Sequence, residues 1–97
     1  MAQYQITYWR EFPAMVTARE GRRRVKVELP PRFQAAIDEA AMRLGLIGSD
    51  EYLRLWRRSE WMAREGSPEE VAQAVAAELE ATYSRERIRQ MLDALLQ

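Results

Sequence analysis

The chain has 97 residues, enough for one domain, and a domain of that size buries only about two-thirds of the surface its unfolded chain exposes, so a deep enclosed active site is not expected. Apolar residues at 47% and charged residues at 31% are globular values that exclude disorder as the default, while the lack of Cys and His excludes disulfides, thiolate and imidazole catalysis, and the usual zinc sites. The net charge is zero, yet basic residues gather from Arg19 to Arg32 and acids prevail from Ser49 onward, an asymmetry that predicts an anion-facing or acid-facing end.

Tyr4 to Trp9 is rich in β-branched and aromatic residues and sets Tyr4, Ile6 and Tyr8 on one face, which predicts a strand. Arg10 to Pro13 interrupts it. Ala14, Val16 and Ala18 then alternate with Met15 and Thr17, and Glu20-Gly21 suits a tight turn before Arg22. From Arg24 the alternation sets Val25, Val27 and Leu29 against Arg24, Lys26 and Glu28. A three-stranded antiparallel meander with one wet face is expected over residues 1–29.

Pro30-Pro31 ends the third strand, since proline lacks the ladder donor, and Pro31 can open a helix where its missing N–H is not needed. Phe33, Ile37, Ala40, Ala41 and Leu44 recur at helical spacing up to Gly45, which predicts a first helix from Pro31 to Leu44. Ser49 caps a second, carrying Tyr52, Leu53, Leu55, Trp56, Ser59 and Met62, with Trp61 outside its buried stripe. Gly66 closes it. Ser67-Pro68-Glu69-Glu70 is a capping box that opens a third helix, with Val71, Ala74, Val75, Leu79 and either Thr82 or Tyr83 on its apolar side. Ser84 either caps a fourth helix carrying Ile88, Met91, Leu92, Leu95 and Leu96 or lies within a longer third one. The expected fold is α+β: one domain over 1–97, with a small antiparallel meander of about three strands in 1–29 packed by three to four helices from 30–97. No stretch approaches the ~20 apolar residues that span a bilayer, and the first residues lack a secretory pattern, so no membrane association and a cytoplasmic location are expected.

The chemistry points to recognition. Ser49, Ser67 and Ser84 sit at helix caps without a His partner, the acid pairs diverge on their helices, and Lys26, the only lysine, lies on the wet face of a strand. No enzyme activity, cofactor or metal is expected. Arg22, Arg23, Arg24 and Lys26 suit either an anionic or acidic partner or the protection of a sheet edge against other chains. Tyr8-Trp9-Arg10 and Trp56-Arg57-Arg58 combine residue types enriched in interface hot spots, and one of the three tryptophans is expected at the surface. The candidate partner- or anion-binding residues are therefore Trp9, Arg10, Arg22, Arg23, Arg24, Trp56, Arg57 and Arg58. The expected partner is another protein with an acidic surface; a homo-oligomer is also compatible.

Two resemblances follow. Arg24 to Arg58, with its alternating strand, Leu29-Pro30, a helix ending at Gly45 and Ser49 before a second helix, resembles a ribbon-helix-helix domain. That implies Arg24, Lys26 and Glu28 as base readers and Ser49 with its following amides as a phosphate clamp. Against it, Glu20-Gly21 offers the strand a partner in cis and the net charge is zero, so DNA is not the expected ligand. The second resemblance rests on Ile6-Thr7-Tyr8-Trp9-Arg10, Pro13-Ala14, Gly21-Arg22-Arg23-Arg24, Leu29-Pro30-Pro31-Arg32-Phe33, Ala36-Ile37-Asp38, Ala41-Met42-Arg43, Gly48-Ser49-Asp50, Tyr52-Leu53 and Trp56-Arg57-Arg58. These are similar to the virulence factor domain, found alone or at the front of conserved virulence factor C proteins. The resemblance implies a domain without established chemistry, and an accessory partner of folate or corrinoid one-carbon enzymes.

Overall fold

Alternating side chains make three successive strands out of the first 28 residues, and two tight turns fold them back on one another. In the computed structural model, which describes residues 1–95, these are β1 (Ala2–Trp9), β2 (Phe12–Glu20) and β3 (Arg23–Glu28). Arg10 and Glu11 turn β1 into β2, with Arg10 at φ 53°, a region costly to any residue but glycine. Gly21, at φ 60°, and Arg22 turn β2 into β3, one residue later than the Glu20-Gly21 pair predicts, because Glu20 still pairs with Arg23 at the end of β2. Strand β2 begins at Phe12 and runs through Pro13, where the register with β1 slips by one residue and Ala14 is left over as a bulge. A bulge is where a strand tolerates proline, so Arg10 to Pro13 is a turn and a strand start instead of a longer interruption.

The helices are α1 (Pro31–Arg43), α2 (Asp50–Arg54), α3 (Pro68–Thr82) and α4 (Arg85–Ala94). Ser49, Ser67 and Ser84 each accept the backbone N–H three residues on, and Ser67 and Glu70 form the reciprocal capping box. Ser84 thus starts a separate fourth helix. Leu96, expected on its apolar side, lies outside the described residues.

The second helix is the main correction. It ends at Arg54 after five residues, and the chain continues as β4 (Trp56–Arg58) and β5 (Met62–Arg64), so the sheet has five strands and the part after residue 30 is not purely helical. Both segments pair antiparallel with the outer edge of β1, giving the order β3-β2-β1-β4 with β5 farther along the same edge. The physical reason is the row of N–H and C=O groups that β1 would otherwise leave without partners. Ser59 carries the pairing across the gap. Its N–H donates to the Ile6 carbonyl at 2.9 Å, and its hydroxyl accepts the Ile6 N–H at 2.9 Å where a strand carbonyl would stand.

Helix α3 lies across β1, β2 and β3, and sets Val71, Ala72, Val75, Ala76 and Leu79 into a core with Ile6, Val16 and Ala18. Helix α1 packs against β2 and contributes Phe33, Ala36, Ile37, Ala40 and Ala41, while α4 rests on α1 through Ile88 and Leu92. Burying a side chain such as Phe33 or Ile37 contributes about 1.5–3 kcal/mol. No helix among the described residues is long and apolar enough to cross a membrane.

Candidate interaction surface

Residues paired across neighbouring strands share a face of the sheet, and the pairings sort the side chains into two sets. Tyr4, Ile6, Val16, Ala18, Val25 and Val27 form the set that packs toward the core. The other face reads in rows: Gln3, Arg19 and Arg24; then Gln5, Thr17 and Lys26; then Arg58, Thr7, Met15 and Glu28. Its lower end holds Trp9 and Trp56, paired across β1 and β4, with the Tyr52 ring of α2 packed on both at centroid distances of 5.5 and 6.3 Å.

Four cations stand on this second face against one carboxylate, Glu28. Trp61 reaches in from the bulge between β4 and β5 and lies against two of them: the Arg19 guanidinium is 3.7 Å from its ring centroid and that of Arg24 is 5.7 Å away. Arg19 also donates from Nε to the Gln3 Oε1 at 3.2 Å, and neither arginine makes an ion pair among the described residues. An indole against two guanidinium planes fixes their orientation and leaves their N–H edges for a carboxylate or phosphate. Thr17, only 4% exposed, is the buried centre of the face.

The structure divides the residues singled out from sequence. Trp9 is wholly buried and donates from Nε1 to the Tyr52 carbonyl at 2.9 Å, so it is a core residue and not part of a partner surface. Its indole fills the space under α2, which sequence alone could not place. Arg10 is held in its turn: its N–H donates to the Leu55 carbonyl at 3.1 Å and its own carbonyl accepts from Arg57 Nε at 2.9 Å. Arg57 also stacks 4.4 Å from the Tyr8 ring centroid. Burial pushes the Tyr8 phenol above its ordinary range, with Tyr83 adding to the shift and Arg57 opposing it. Arg22 is exposed in the β2–β3 turn and Arg23 at the start of β3, where it pairs with Glu69 of α3. Arg24 and Arg58 share the open face, at opposite ends of β1. Trp56 and Trp61 are both half-buried, so no tryptophan is fully exposed.

Arg19 and Trp61 are the residues that sequence reasoning missed. Arg19 continues the Met15, Thr17 alternation and was legible on that ground; Trp61 was not, because its segment reads as helix. The serines are engaged structurally: three cap helices, and the Ser59 hydroxyl accepts from Ile6 and donates to the Glu60 carbonyl at 3.1 Å. Among the described residues no group of three or more carboxylates is placed to hold a metal ion. The ribbon-helix-helix layout is not formed, because β3 pairs with β2 of the same chain and α2 is five residues long.

A sequence profile of the family described as "Virulence factor" matches residues 7–92, from the middle of β1 into the last turn of α4. The chain belongs to the virulence factor family. The match extends well past Arg58, where the residues that carried the resemblance end, so α3 and α4 are part of the family domain and not an appended tail. No curated protein and no solved structure matches the chain.

Proposed function

We propose that this virulence factor domain is a non-catalytic, cytoplasmic protein-interaction module that docks an acidic partner surface on the open face of its sheet. The observation that carries the reading is the Arg19–Trp61–Arg24 stack with Lys26 next to it and Arg58 at the other end of the same face, which faces away from α3. Aromatic and arginine side chains on a flat, preorganised face are the usual anchors of an interface, and complementary charge speeds encounter with an acidic partner. The one-carbon enzymes implied by the family resemblance are the first partners to test, with this chain as accessory subunit.

Affinity capture with the wild-type chain and with an Arg24→Ala/Lys26→Ala/Arg58→Ala variant, read by mass spectrometry, tests the proposal. Arg24, Lys26 and Arg58 are exposed, so each substitution should change stability by less than about 0.5 kcal/mol and the variant should melt close to wild type. The expected result is an acidic protein retained by the wild type and lost by the variant. Equal capture by both removes the open face from the interaction; a variant that unfolds makes these cations structural.

A further inference from the structure

A second basic site lies away from the sheet, in a cleft of about 330 Å³ between α1 and α4. Its floor is apolar, made by Ala35, Ala36, Ile88 and Leu92, and four arginines, Arg32, Arg43, Arg85 and Arg89, stand around it. Glu39 is the single carboxylate in the lining, and Arg43 already answers it at 2.6 Å while also reaching Asp93 at 3.1 Å. Arg85 and Arg89 have no carboxylate partner among the described residues. Arg32 donates from Nη2 to the Glu80 carbonyl at 3.0 Å, but its Nε is buried and donates to nothing among the described residues. Buried polar groups are normally satisfied, so this Nε is a donor in reserve on a residue that lines the cleft.

The cleft runs along both helices from their first turns to their last. The Arg43–Asp93 pair joins the last turns of α1 and α4, and Arg32 and Arg85, both in first turns, line the same cleft. The two helices therefore run side by side in the same direction, and their positive N-terminal ends lie together at the end of the cleft that holds Arg32 and Arg85. The volume is that of a small-molecule pocket, and an apolar floor with convergent charged groups on the walls is the usual makeup of one. We infer that the α1–α4 cleft binds a small organic anion, one phosphate or carboxylate head held by the arginines with an apolar body laid on Ala36, Ile88 and Leu92. The site is separate from the sheet face proposed above and involves none of its residues.

The test titrates the full chain, followed by amide NMR, with 1-naphthyl phosphate and 1-naphthoate, and with inorganic phosphate and 1-naphthol as controls lacking the body or the charge. The expected result is one-to-one binding of either anion at submillimolar dissociation constants, with shifts at Ala36, Ile88 and Leu92 and weakening as salt rises. An Arg85→Gln/Arg89→Gln variant, which removes two exposed charges and should melt like wild type, should bind at least about tenfold more weakly, as should Arg89→Gln with Arg85 intact if the double change disturbs α4. The relative strength of the two anions identifies the preferred head. The inference is overturned if neither anion shifts these amides, if a control binds as tightly as the anions, or if the arginine variants bind unchanged. The Arg24→Ala/Lys26→Ala/Arg58→Ala variant should bind the anion normally, so failure of either proposal is distinguishable from failure of the other.

Discussion

Ser59 shows how one hydroxyl decides the architecture around it. Between β4 and β5 the backbone leaves the ladder, and the Ser59 Oγ accepts the Ile6 N–H that would otherwise face no partner. Ile6 is 7% exposed, so water cannot take over the bond easily. Removing the acceptor should cost about 1–3 kcal/mol, the desolvation penalty of an orphaned buried donor. The prediction is that Ser59→Ala lowers stability by that amount in chemical denaturation and speeds hydrogen exchange at the Ile6 amide, while Ser59→Thr, which keeps the hydroxyl, retains most of both. An exchange rate unchanged in Ser59→Ala would mean that water or another group already satisfies Ile6. Spacing alone places Ser59 on a helix face, because a serine's partner 53 residues away leaves no local trace.

At the scale of elements, α3 joins the fold through charge-assisted contacts at its start and along its length. The Glu70 carboxylate accepts the Ser67 N–H at 3.0 Å in the capping box, and this backbone bond together with the Ser67 side chain holds its pKa below the ordinary 4.5. Glu78 receives both Arg64 nitrogens, at 2.6 and 3.0 Å, which depresses its pKa in the same way and ties α3 to β5. A carboxyl with a depressed folded pKa contributes its stability above the ordinary value and loses it as pH falls through the folded one. Thermal stability should therefore decline as pH drops below about 4.5, and the decline should be shallower in Glu70→Gln and Glu78→Gln, which have no proton to take up. An acid limb as steep in both variants as in wild type would assign it to other carboxylates. Both groups are exposed, so the limb should also flatten in high salt.

For the whole molecule, zero net charge conceals two basic regions, the open sheet face and the α1–α4 cleft, balanced by acids elsewhere on the surface. Long-range attraction to a polyanion depends on how many phosphates are neutralised together, and neither region offers a continuous basic track. Binding to random duplex DNA should be weak at low salt and fade toward physiological ionic strength, with a shallow salt slope measurable by fluorescence anisotropy. Tight, sequence-selective binding by a dimer would contradict this, and with it the protein-docking reading of the sheet face. The cis pairing of β3 with β2 leaves β3 as an edge, which its exposed Arg24, Lys26 and Glu28 also protect against stray strands.

The features legible in the residues alone are those that local physics decides. Gly21 adopts the positive φ its turn requires, Ser49, Ser67 and Ser84 cap helices through bonds three residues long, and Val25 and Val27 alternate with Arg24 and Lys26 because a strand's period is two. The family is legible in the same residues. The fate of residues 56–64 was settled by packing, since Trp56, Ser59 and Met62 sit at helical spacing, and the backbone groups along the edge of β1 turn the segment into strands. Packing also decided which aromatics are anchors: Trp9 went under α2, while Trp61, set by a bulge that no local pattern announces, came to lie against Arg19 and Arg24. The α1–α4 cleft was invisible for the same reason, because Arg32, Arg43, Arg85 and Arg89 converge only after two helices distant in sequence pack side by side.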